Sequence, residues 1–317
     1  MQRLRRLRRT ESLLRLFTEI DVPVRSLVPA YFVVGGAGIR REVPEDGGMW
    51  QISVDELPAE ARRAKDGGAE ALMLFGVPPE KGLHHAGDPN GLVARALQGL
   101  KGSELTLMAD VCLCSYTDDG HCGIWRDDMV QNDETVAHLA KMAVTLAEAG
   151  ADVVCLSDMM DGRVSAIRTA LDRAGKEYTL LMSYAAKMSS AFYGPFRVAA
   201  ESAPKHGDRR GYQMNPANRR EAMREIDADV HEGADLLMIK PALTNLDLVA
   251  ETRRLYDLPI VAYQVSGEYA MLREAGKAGR IDFARAARES LVSIKRAGAD
   301  IIVTYLAKDV WDGKVRL

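Results

Sequence analysis

Two lysines and three cysteines stand where they could do chemistry. Lys240 closes the segment "DLLMIKP", with mostly apolar residues before it and Pro241 after it. A buried ammonium is costly, so a lysine placed this way tends to lose its proton or pair with an acid. The neutral amine is a nucleophile that forms Schiff bases with carbonyls. A lysine snorkelling out of a strand end would read the same way. Lys187 lies in "SYAAKMSSAFYGPFR". If it faces Lys240, two neighbouring ammoniums favour loss of a proton from the pair; otherwise it is a solvent-facing loop residue.

The stretch "DVCLCSYTDDGHCG" (110–123) holds three of the four cysteines. Cys112, Cys114 and Cys122 could present thiolates to a tetrahedral Zn²⁺ and leave one position open, the catalytic arrangement. His121 could close the site as a fourth ligand. Inert or redox-active thiols are the competing reading. Cys155 falls within an apolar run and is expected to be buried in a strand. Arg197 and the pair Arg209–Arg210 lie in "FYGPFRVAAESAPKHGDRRGYQ". That is long for a connection after a strand, as active-site lids often are. The arginine fork grips carboxylates bidentately, and Phe192, Tyr193, Phe196 and Tyr212 could keep water out. "GGAG" (35–38) lacks the spacing of a nucleotide-binding glycine motif and reads as loop. "LHH" (83–85) reads as surface.

These residues need elements to hold them. Eight apolar, β-branched-rich runs recur, at 26–34, 70–77, 104–113, 152–157, 178–184, 235–240, 258–264 and 300–305. Their near-continuous apolar character predicts strands covered on both faces. Helical spacing fills the gaps at 135–150, 163–175, 216–234 and 282–298. Gly150, Gly175 and Gly298 serve as stops, Asp282 as an N-cap and Pro216 as a first helical residue. Eight alternating strands and helices favour a (β/α)8 TIM barrel over an open doubly wound sheet. In such a barrel the catalytic groups gather where strands end. Asp110, Ser157, Asp158, Lys187, Lys240, Ser266 and Tyr305 fall at the ends of six different runs.

The 317 residues are 47% apolar and 27% charged, with net charge −3. These figures allow a large core and exclude a global pull toward nucleic acid or membrane. No apolar run is long enough to span a bilayer. The basic N-terminus, "MQRLRRLRRTESLLRLF", lacks a secretory apolar core, so a cytoplasmic location is expected. Its leucine spacing suits one helix face. Residues 1–22 therefore read as an arm that docks on a neighbouring subunit or the chain's own body, with a solvated tail and polyanion binding as rivals. Residues 23–317 read as the catalytic domain.

Together the motifs "DVCLCxYTxxGHCG", "LSDMMDGR", "SYAAKxxSAFYGPFR", "GDRRxYQMNPANRREA", "EGADLLMIKPA", "YQVSGEYAM" and "RAGADIIVTY" resemble the porphobilinogen synthase (5-aminolaevulinate dehydratase) family from about residue 100 to 305. The resemblance implies a TIM barrel that condenses two 5-aminolaevulinates to porphobilinogen, releasing two waters. Lys240 and Lys187 would form the Schiff bases, with Asp110 and Ser157 as polar neighbours. Arg197 and Arg209, with Gln213 in the same motif, would hold one substrate carboxylate, and Ser266 and Tyr305 the other. Tyr193 and Phe196 would line the substrate site. Cys112, Cys114 and Cys122 would bind catalytic zinc and Glu225 an allosteric magnesium. A homo-octamer built through N-terminal arms is implied as well. The chain departs from the family pattern at Ser115, Asp119, Met188 and Asn245, and in "DGGMWQIS" (46–53). A paralogous Schiff-base aldolase or lyase acting on a related amino ketone, and a non-catalytic zinc-binding assembly protein, are the alternatives.

Overall fold

Eight of the apolar runs become strands buried on both faces. The computed structural model describes residues 1–44 and 47–317, so Asp46 of "DGGMWQIS" lies outside the described residues. The strands are β1 (Leu27–Val28), β2 (Ala30–Val34), β3 (Arg40–Glu42), β4 (Trp50–Ser53), β5 (Ala71–Val77), β6 (Thr106–Val111), β7 (Trp125–Arg126), β8 (Met129–Val130), β9 (Val153–Leu156), β10 (Leu180–Lys187), β11 (Leu236–Lys240), β12 (Ile260–Gln264) and β13 (Ile301–Thr304). β1 pairs in parallel with β13, and β2 pairs in parallel with β5. Since only Pro29 separates β1 from β2, one extended segment joins the last strand to the second and closes a parallel barrel. Proline has no N–H to give a ladder; its carbonyl still accepts from Met73 N at 3.0 Å.

The helices are α1 (Glu11–Leu16), α2 (Leu57–Asp66), α3 (Leu92–Gly99), α4 (Asn132–Ala149), α5 (Arg163–Arg173), α6 (Gly194–Ala199), α7 (Arg219–His231), α8 (Leu246–Leu255), α9 (Ser266–Lys277), α10 (Phe283–Ala297) and α11 (Leu306–Trp311). The expected stops act as stops: Gly150 ends α4 at φ +115°, and Gly298 follows α10 at φ +120°. Asp282 caps α10 by accepting from Arg285 N at 3.1 Å. Pro216 does not open a helix. Asn215 and Asn218 build a turn there, with Asn215 Oδ1 accepting from Ala217 N, and α7 begins at Arg219.

The hairpin-like pair β3 and β4 was not expected from sequence. β4 runs parallel to β2 and antiparallel to β3. Buried Gln51 anchors it, accepting from Arg41 and donating from Nε2 to the Ala199 carbonyl at 2.9 Å. The departing segment "DGGMWQIS" thus supplies a strand that supports α6. The arm forms a 3₁₀ turn (Leu4–Arg8) and α1 with no buried residue in either. Its apolar residues Leu4, Leu7, Leu14, Leu16 and Phe17 are exposed, and Val22 at its end is buried in the core. Among the described residues no helix is long and apolar enough to cross a membrane.

Candidate active site

Lys240 and Lys187 meet at the barrel mouth. Each is the last residue of its strand, and the two Cα atoms are register partners across β10 and β11. A register shift between Ser183 and Ala186 inserts one extra residue in β10 and brings Lys187, rather than Ala186, opposite Lys240. Bulges re-aim side chains in this way near active sites. Both lysines are buried. Four rings surround Lys240 Nζ, with centroids at 3.9 Å (Tyr263), 4.8 Å (Phe196), 5.3 Å (Tyr184) and 5.4 Å (Tyr193). Burial, then the Lys187 charge, brings the Lys240 amine down to about 7 from its usual range near 10.5. Lys187 Nζ donates to the Ser157 carbonyl.

Asp110, on β6, is pushed up to about 7 by burial, against a hydrogen bond from Ser157 and the charges of both lysines. Its Oδ1 is shielded from solvent and has no partner. A carboxyl poised near neutrality beside a poised amine is the pairing that acid–base chemistry uses. Asp158 faces Arg163 instead, at 3.7 Å, in a buried network with Asp229 and Ser183. It therefore belongs to the scaffold beneath α5 and α7.

The cysteine trio follows β6. The Sγ atoms of Cys112, Cys114 and Cys122 lie within 4.8 Å of one another, and all three are buried. None is in a disulfide. Hydrogen bonds from Cys112 and Cys114 hold the Cys122 thiol well below its usual range, with help from Arg209 and Lys187. Three buried sulfurs this close form a donor set suited to a metal cation, and the residues fit such an ion. His121 does not join them. Its Nδ1 meets Tyr212 Oη at 3.0 Å and its Nε2 meets the His206 carbonyl at 3.0 Å, and its ring stacks on Trp125. Both ring nitrogens are thus occupied, which corrects the possibility of a fourth histidine ligand. Cys155 is buried in β9, opposite Asp110 and outside the trio.

The lid after β10 covers the site. Its far end returns to the lysines, with Met214 N donating to the Lys187 carbonyl at 3.1 Å. Arg209 is buried and spans Gly120 and Ser202, donating from Nη2 to both carbonyls. Gly120 sits at φ +76°, and a Cβ there would stand 2.5 Å from the Ala203 carbonyl oxygen, so lid and cysteine loop touch backbone to backbone. Arg197 Nε, Arg209 Nε and both side-chain polar atoms of Gln213 are buried without partners. Such orphans are rare in a finished interior and mark a place for a ligand. Ser266 opens α9. Its Oγ accepts from Phe196 N at 3.0 Å, leaving the hydroxyl proton free to donate. Tyr305 Oη pairs with Tyr263 Oη at 2.9 Å. Tyr193 Oη donates to the Lys240 carbonyl at 3.3 Å.

Four expected departures have plain roles. Ser115 Oγ donates to the Ala200 carbonyl at 3.4 Å, and Asp119 Oδ1 accepts from His121 N at 2.9 Å. Asn245 Nδ2 donates to the Pro241 carbonyl at 2.8 Å. Met188 is buried, and its N donates to the Lys240 carbonyl at 3.0 Å. None enters the cysteine trio. Glu225 lies apart on α7, half-buried at a cavity of about 610 Å³ that Asp161, Glu221 and Gln213 also line. Burial, then Asp229, raises its carboxyl. Among the described residues the cysteine trio is the one cluster of three or more potential metal ligands. The Tyr184 and Tyr263 rings were not singled out from sequence; Tyr184 lies in the middle of β10 and Tyr263 is the next-to-last residue of β12.

Fold and site together define a TIM-barrel enzyme of the lysine Schiff-base class. The family profile described as Delta-aminolevulinic acid dehydratase matches residues 1–312. The Delta-aminolevulinic acid dehydratase of Halalkalibacterium halodurans is 48% identical over 98% of this chain and 95% of its own length. That of Methanothermobacter thermautotrophicus is 47% identical over 98% and 96%. A crystal structure of the Toxoplasma gondii enzyme with its reaction product porphobilinogen superposes with a TM-score of 0.95 at 42% identity, covering 99% of this chain and 91% of that one. The chain belongs to the delta-aminolevulinic acid dehydratase family.

Proposed function

We infer that this chain condenses two 5-aminolaevulinate molecules to porphobilinogen with loss of two waters, as a porphobilinogen synthase in tetrapyrrole biosynthesis. The observation that carries the reading is the pair of buried lysines in register, ringed by aromatics and faced by unpaired arginine and glutamine groups. The neutral Lys240 amine attacks a substrate ketone, and the carbonyl oxygen leaves as water as the imine forms. Lys187 holds the second substrate in the same way. The aromatic rings keep water away and favour the iminium cation over bulk solvent. The iminium acidifies the adjacent C–H, and the Asp110 carboxylate is placed to take that proton. Arg197, Arg209 and Gln213 hold one substrate carboxylate through their free donors, with Tyr193 and Phe196 against its chain. Ser266 and Tyr305 donate hydroxyl protons to the other, and Ser157 steadies Asp110.

Cys112, Cys114 and Cys122 would hold zinc, since three thiolates select a borderline-soft cation over magnesium. Such an ion supplies a Lewis acid that polarises a carbonyl or acidifies a bound water. Glu225 is proposed as the ligand of an activating magnesium, with Asp161 and Glu221 as its acidic neighbours. The uncovered apolar face of the arm supports docking on a neighbouring subunit in a homo-octamer, in the cytoplasm. Neither the paralogous lyase nor the non-catalytic reading gains support from the relatives. The test is product formation: 5-aminolaevulinate and zinc-loaded protein should give a pyrrole that colours Ehrlich's reagent, and its absence defeats the reading.

A further inference from the structure

Lys81 has no part in the reaction described above, yet its ammonium sits at the seam between the two loops that build the site. It lies in the loop after β5 and is partly buried. Nζ donates to the Ser115 carbonyl at 2.8 Å and to the Glu201 carbonyl at 2.9 Å. Ser115 adjoins Cys114 in the cysteine loop. Glu201 belongs to the lid and is held at φ +49°, a left-handed conformation that a non-glycine residue adopts only when its surroundings impose it. Further bonds cross the same seam. The Ser115 hydroxyl reaches the Ala200 carbonyl, Lys205 N reaches the Asp119 carbonyl at 2.8 Å, and Cys122 N donates to Tyr212 Oη at 3.2 Å. Of these contacts only that of Lys81 is made by a charged group on a third loop, so it can grip both partners at once. Charge-assisted bonds are about twice as strong as neutral ones.

We propose that Lys81 is a positioning residue that latches the lid onto the cysteine loop, so that ordering the three thiols for a metal also orders Arg209 for a substrate carboxylate. The proposal rests on the reading of the cysteine trio as a metal site and Arg209 as a carboxylate anchor. Because such coupling is reciprocal, metal binding should tighten the lid and lid closure should tighten metal binding. Outer partners of metal ligands commonly change affinity by about 10–100-fold.

The test uses full-length protein freed of metal and titrated with Co²⁺, followed by its thiolate charge-transfer absorption. The lid carries exposed trypsin sites at Lys205 and Arg210. In the wild-type protein Co²⁺ should slow cleavage there. Lys81→Met should bind Co²⁺ roughly 10–100-fold more weakly and lose that protection, and Lys81→Arg should recover part of both. A Lys81→Met protein with lowered thermal stability but unchanged Co²⁺ affinity and protection overturns the latch. If Lys81→Met does not fold, Lys81→Gln and the wild-type protection decide; lack of protection in wild type also overturns it. Borohydride trapping of 5-aminolaevulinate is run beside these titrations. A retained Lys240 adduct with no Lys81 effect sinks the latch alone, whereas a Lys81 effect with no adduct sinks the reaction and leaves the latch.

Discussion

Lys240→Met should make the protein more stable while abolishing its activity, and by more at low pH than at high. The folded protein holds the Lys240 amine at about 7, against an ordinary value of 10.5, chiefly because the group is buried. Each pKa unit corresponds to about 1.4 kcal/mol, so the burial costs at most about 5 kcal/mol when the amine is charged in both states. Between pH 7 and 10.5 the unfolded chain binds the proton and the folded one does not. Wild-type stability therefore rises with pH through that window. The cost is full below pH 7, falls to about 2 kcal/mol by pH 9 and vanishes above the unfolded value. Methionine has similar length, no charge and good contacts with rings such as Tyr263, whose centroid is 3.9 Å from Nζ. For a chain of 317 residues the unfolding entropy is about 0.7 kcal/mol per degree. The variant should then melt about 7 °C above wild type at pH 6 and about 3 °C above it at pH 9. Differential scanning calorimetry of metal-free samples at matched concentration reads this directly. A variant less stable than wild type, or a gap that does not narrow as pH rises, refutes the account of Lys240 as an amine made neutral by burial.

Three further outcomes follow from the site. Lys187→Met should lower porphobilinogen formation by about 10²–10⁴-fold and move half-maximal trapping at Lys240 to higher pH, since Lys187 is the second cause of its low value; an unmoved midpoint separates the two lysines. Cys122→Ser should cut zinc content below one ion per chain and remove activity that added zinc cannot restore, as read by elemental analysis beside the Ehrlich assay. Glu225→Ala should keep the magnesium-free rate and lose stimulation by Mg²⁺; equal stimulation in both proteins removes Glu225 from the account.

The barrel was legible because its strands are covered on both faces, so each reads as a near-continuous apolar run bounded by glycine or polar residues. β3 and β4 were not. "RRE" and "WQIS" are short and polar, and they pair only because β2 offers an edge above Pro29. Lys240 stood out as a cation ending an apolar strand. Tyr193 and Phe196 were legible in the lid motif; Tyr184 and Tyr263, which complete the ring around the Lys240 amine, were not, because the four rings come from three separate segments that only barrel closure brings together. Spacing left His121 open as a metal ligand, and the group that claims it, Tyr212, lies 91 residues further on. Pro216 misplaced the start of α7 because an asparagine turn can carry a proline as readily as a first helical turn can. Of the two departures nearest the cysteines, Ser115 stitches the cysteine loop to the lid through its hydroxyl, and the Asp119 carboxylate braces the cysteine loop itself at His121 N.

The central claim is that Lys240 carries the substrate as an imine. Incubation with 5-aminolaevulinate at pH 8, reduction with borohydride and peptide mapping by mass spectrometry test it most directly. The account predicts a reduced adduct on Lys240, lost in Lys240→Met and retained in Lys81→Met. Labelling spread over exposed lysines, with Lys240 unmodified, would contradict it.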